Sequence, residues 1–72
     1  MQSSGVSSIE VAAVPEIVIG KRRFRGYYRF QSIDHGVIDG RTPFTYTTEI
    51  DAIMAAREAA RDAVERAERR MA

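Results

Sequence analysis

The chain has 72 residues, no cysteine and one histidine, and its eleven basic and ten acidic side chains leave a net charge of +1. That length holds one domain with a small core, and the composition excludes disulfides, thiolate metal sites and multi-histidine metal sites within one chain. The near-neutral balance lacks the basic excess on which non-specific polyanion binding usually rests, and no run approaches the ~18 apolar residues of a membrane span.

Residues 1–8, MQSSGVSS, are small and polar. They hold too little apolar surface to offset the entropy of ordering, so a disordered tail is expected. The segment has no basic n-region and no long apolar core, so it does not read as a signal peptide. The absence of cysteine is compatible with a reducing cytosol, and a cytoplasmic protein with no membrane partner is the expectation. Ile9–Val14 is at most a weak strand before Pro15, so 1–15 reads as a flexible tail and 16–72 as one domain.

Glu16–Gly20 is the first firm strand, three β-branched residues closed by glycine. The run GKRR then turns the chain. Phe24–Ile33 follows as a longer strand, with Tyr28, Phe30 and Ser32 on one face and Tyr27, Arg29, Gln31 and Ile33 on the other. Gly26 marks a bulge or a second turn choice. Asp34–Arg41 carries two Asp/Gly turn signatures and reads as one loop with two bends. Thr42–Thr47 is a third strand, with Pro43 at its start or on an edge.

At Thr48 the apolar period changes to that of a helix. Thr48 suits an N-cap, Asp51 stands three residues on, and no glycine or proline follows position 43. The apolar stripe runs through Ile50, Ile53 and Met54, then Ala56 or Arg57, Ala60, Val64, Ala67 and Met71. The bulky first half is expected to pack on the sheet. A helix of this length spans about 35 Å and a typical strand ~17–20 Å, so the alanine-rich half is expected to outrun the sheet. The fold class is therefore α+β: a three-stranded antiparallel sheet followed by one long C-terminal helix packed on one face.

Two surfaces compete for a function. Small side chains at Ala56, Ala60, Ala63 and Ala67, with Val64 and Met71 for bulk, let a second helix approach closely. The leading expectation is thus a non-catalytic interaction module that forms a homodimer or binds a protein partner. The alternative is the stretch KRRFRGYYRF, Lys21 to Phe30, which packs five of the eleven basic residues and four of the six aromatics into ten positions. There Lys21, Arg22, Arg23, Arg25 and Arg29 would meet nucleic-acid phosphates, and Tyr27 would stack on a base. Against this stands the plainer reading, in which Phe24, Tyr28 and Phe30 face the helix and the cations decorate a solvated surface.

His35 with Asp34 and Asp39 reads as turn chemistry rather than a metal or acid–base site. The helix charges from Arg57 to Arg70 alternate in sign, as on a solvated, ion-paired face. One histidine and no activated nucleophile imply no enzyme, and nothing calls for a cofactor or a metal.

Overall fold

Tight turns and one helix cap set the architecture. The structure, a computed structural model, describes residues 8–33 and 35–71. Strands β1 (Glu10–Val18), β2 (Lys21–Ser32) and β3 (Gly36–Tyr46) are followed by helix α1 (Glu49–Met71). The sheet is antiparallel in the order β1-β2-β3, and α1 packs against all three strands. This is the fold class expected from the sequence.

Ile19 and Gly20 connect β1 to β2 with φ angles of 50° and 74°. Positive φ at both central residues is the signature of a type I′ hairpin turn. Glycine adopts it freely. A β-branched residue does not, and such strain costs roughly 1–3 kcal/mol. The turn therefore precedes the expected GKRR, and Lys21 is already paired with Val18.

β1 joins two segments that the sequence appeared to separate at Pro15. In a two-residue hairpin Val18 and Lys21 exchange both backbone bonds. Val18, Glu16 and Val14 then turn their backbone groups to β2, while Ile17, Pro15 and Ala13 turn theirs to the open edge. Pro15 thus lacks an N–H only where no partner strand waits. Residues 10–15 belong to the sheet rather than to a tail; of the rest of the expected tail, residues 8 and 9 precede the strand and are exposed, and residues 1–7 lie outside the described residues.

β3 runs straight through the expected loop. Gly40 stands opposite Tyr28, and a Cβ there would strike the Tyr28 ring and hydroxyl. Glycine at this point makes room for an aromatic ring over the neighbouring backbone; it does not turn the chain. Beyond it the register shifts between Arg25 and Tyr27, so the Thr42–Phe44 stretch bulges opposite Gly26. The buried Thr42 hydroxyl accepts the Gly26 N–H at 3.2 Å and donates to the Phe44 carbonyl at 2.7 Å. The bulge thereby keeps its polar groups satisfied.

The Thr48 hydroxyl accepts the Asp51 N–H at 3.1 Å and caps α1 as expected. The packing face is not the expected one. Ala52, Ala56 and Ala60 are wholly buried, Ala63 and Ala67 nearly so, while Ile50 and Met54 are 69% and 58% exposed. The reason lies in the sheet. Its helix side already carries Phe24, Tyr28 and Phe30, with the last two rings 6.3 Å apart and nearly parallel. At Gly26 a Cβ would strike the Ala52 carbonyl and come within 2.9 Å of the Ala56 Cβ. Large groups come from the sheet, so the helix must supply small ones.

The expected length mismatch also disappears. β2 has 12 residues and α1 has 23, which correspond to ~40 Å of strand and ~35 Å of helix. The C-terminal half of α1 lies on the sheet, where Ala63 and Ala67 line a cleft with Tyr28 and Ile38. Gly26→Ala should lower the unfolding free energy by about 1–3 kcal/mol in a urea titration, as an overpacked core does. Met54→Gln should stay within about 0.5 kcal/mol of wild type. The opposite order would place the bulky half of the helix on the sheet.

Candidate nucleic-acid interface on the open face of the sheet

Alternation divides β2 between two environments. Phe24, Gly26, Tyr28, Phe30 and Ser32 lie on the helix side; Lys21, Arg23, Arg25, Tyr27, Arg29 and Gln31 lie on the open side. Cross-strand register adds Glu10, Ala12, Val14 and Glu16 from β1, and Val37, Asp39, Arg41 and Thr45 from β3.

The hairpin end of this face is held in place. Arg25 donates from Nε to Glu16 Oε2 at 2.8 Å and from Nη1 to the Thr42 carbonyl at 2.8 Å. Arg23 donates from Nε to Thr45 Oγ1 and from Nη2 to the Thr45 carbonyl, both at 2.7 Å. The Arg25 guanidinium holds the Glu16 carboxyl below its ordinary range, helped by the field of Arg41 and a hydrogen bond from Tyr27. Glu16 in turn raises the pKa of Arg25. Lys21 and Arg41 are exposed.

At the far end the charges cancel, because Arg29 stands between Glu10 on β1 and Asp39 on β3. Between the two ends runs the row Ala12–Tyr27–Arg41. Ala12 is too small to cover its neighbours. A broad depression of about 710 Å³ opens there, bordered by Glu10, Ala12, Tyr27, Arg29, Asp39 and Arg41.

Five of the six residues singled out in the basic stretch, Lys21, Arg23, Arg25, Tyr27 and Arg29, therefore share one face. Arg22 does not. It lies on the helix side, its guanidinium carbon 5.8 Å from the centre of the Phe24 ring in a cation–π contact. Arg41 joins the face although the sequence placed it in a loop. The signal that could have found it is the alternation Val37, Asp39, Arg41.

The proposed helix seam is placed differently. Ala56, Ala60, Ala63 and Ala67 are buried against the chain's own sheet, Val64 is half-buried, and the side chain of Met71 lies outside the described residues. Nor do His35 and Asp39 converge. His35 borders the cleft under the helix with Tyr28 and Arg66, whereas Asp39 faces the opposite way. Asp34 lies outside the described residues. Among the described residues no three His, Cys, Asp or Glu side chains group to hold a metal ion, and no helix is long and apolar enough to cross a membrane.

The Glu16–Arg25 pair makes a pH prediction. The folded-state pKa of Glu16 lies below its ordinary 4.5, so the pairing stabilises the fold above that value and is lost as the pH falls through the folded value. Glu16→Gln should lower the melting temperature near neutrality, and the gap to wild type should close in acid. A gap that stays constant across an acid titration would mean that the carboxylate does not titrate with the fold.

Comparison with known proteins adds no relative: no family model matches the chain, and no curated protein or solved structure matches it.

Proposed function

We propose that the protein is a non-catalytic binding module whose open sheet face docks on the phosphate backbone of a nucleic-acid duplex. The observation that carries this reading is the cationic row Lys21, Arg23 and Arg25 on the central strand, with Arg41 beside it and its nearest acid, Glu16, already bonded to Arg25.

Two further observations support it. The guanidiniums of Arg23 and Arg25 are fixed by backbone carbonyls and side chains, so little side-chain entropy remains to be lost on binding. The open face also carries a single ring on β2, that of Tyr27. Single-strand platforms stack successive bases on several rings, so this face suits a duplex better. With a net charge of only +1, binding is expected to be modest and strongly salt-dependent. The alanines of the helix seam that motivated self-association are buried against the chain's own sheet.

Titration of a short DNA duplex at about 50 mM and about 200 mM salt tests the reading. Lys21→Ala and Arg41→Ala should each weaken binding and reduce the salt slope by about one. Arg61→Ala, on the helix, should do neither. Absence of binding at low salt, or an equal effect of Arg61→Ala, would overturn the proposal. Dimerisation at high protein concentration that is blocked by Arg41→Ala and indifferent to DNA would assign the face to a second copy instead.

A further inference from the structure

The apex of the β1–β2 hairpin carries a residue that folding does not explain. Ile19 occupies the first central position of a type I′ turn at φ 50° and is 96% exposed. Both properties are unfavourable. The left-handed conformation belongs to glycine and asparagine, and a branched aliphatic side chain in water gains nothing from burial. A domain this small has little stability to give up. Backbone strain of this kind collects at functional positions, where a local cost serves something other than the fold.

The surroundings point to what that is. From Ile17 to Ile33 the sequence contains no acid. The residues that follow the apex divide between the two faces of the hairpin, Lys21 on the open side and Arg22 on the helix side. Lys21 is exposed, and Arg22 is exposed above the Phe24 ring. An apolar tip thus projects between two cations of opposite orientation. Proteins that kink a duplex use such a combination: an aliphatic wedge enters between base pairs while cations on either side hold the phosphates.

Resting on the reading of the sheet face above, we infer that Ile19 is a wedge, which the protein inserts between adjacent base pairs of the duplex on which that face docks. Lys21 and Arg22 hold the backbones on either side of the step. The sheet face supplies the sequence-independent grip; the hairpin apex unstacks one step and favours the pyrimidine–purine steps that open most easily.

The test compares wild type with Ile19→Asn and Ile19→Leu on a duplex that carries 2-aminopurine at a TA step. Asparagine relieves the turn, so Ile19→Asn should unfold at a higher urea concentration than wild type, which separates its effect from misfolding. Wild type should brighten the 2-aminopurine on binding. Ile19→Asn should abolish the brightening and bind roughly tenfold more weakly, a loss of about one factor of ten for one apolar contact at the step. Ile19→Leu should retain the brightening. Duplex binding without brightening, or with brightening unchanged in Ile19→Asn, overturns the wedge and leaves the sheet-face reading standing. No duplex binding by wild type at low salt overturns both. Binding to phosphatidylserine vesicles that depends on Ile19, with no response from 2-aminopurine, assigns the apex to a lipid surface and overturns the wedge.

Discussion

The rest of the structure depends on how closely α1 approaches β2 at Gly26. With no side chain at that position, the helix backbone settles against the central strand, and the Ala52 carbonyl occupies the space that a Cβ would need. Such an approach tolerates only small residues on the helix, hence the buried row from Ala52 to Ala67. The core volume must then come from the strands, and Phe30 and its neighbour Tyr28 supply it. The bulge at Thr42 belongs to the same arrangement, because its hydroxyl takes up the Gly26 N–H that the irregular register frees from the ladder. One missing Cβ therefore connects the composition of the helix, the aromatic content of the sheet and the kink in β3.

This geometry also separates the two faces of the sheet by chemistry. Phe24, Tyr28 and Phe30 of β2 are drawn to the helix side, and its charges other than Arg22 are left on the open one. The open face is not uniformly basic. Glu10 and Asp39 flank Arg29 at one end, Arg41 stands in the middle row opposite Tyr27, and at the other end Lys21 and Arg23 lie near Glu16, which is already paired with Arg25. A molecule with almost no net charge can still carry a strong local field when its acids sit on the helix and at the far end of the sheet. The hairpin end thus combines several cations with Ile19, the most exposed large apolar residue among the described ones.

Much of this was legible in the sequence, for definite reasons. The change of period at Thr48 and the capping of Asp51 are local, and both read correctly. So did the division of Tyr27 and Arg29 from Tyr28 and Phe30, since strand alternation needs no knowledge of a partner. What failed was non-local. Pro15 looked like a boundary because the open edge to which its nitrogen points is defined only once β2 is in place. Asp39-Gly40 looked like a turn because the ring that needs the glycine, Tyr28, is on another strand. Helix periodicity marks an apolar stripe, yet it could not tell that Ile50 and Met54 would lie beside the packing face and the alanines upon it. That choice was made by Gly26. On the open face, alternation placed Tyr27 and Arg29 correctly, Arg41 was hidden by the misread loop, and Arg22 was read in a turn that the chain completes two residues earlier.

The sheet has two free edges, and each edge strand contains one of the two prolines of the chain, Pro15 in β1 and Pro43 in the bulge of β3. Along each edge, therefore, a strand arriving from another molecule would meet a position that offers a carbonyl and no N–H, and in β3 a local bend as well. Growth by strand addition is interrupted on both sides. A high local concentration of copies therefore meets an obstacle to edge-to-edge sheet growth at either edge.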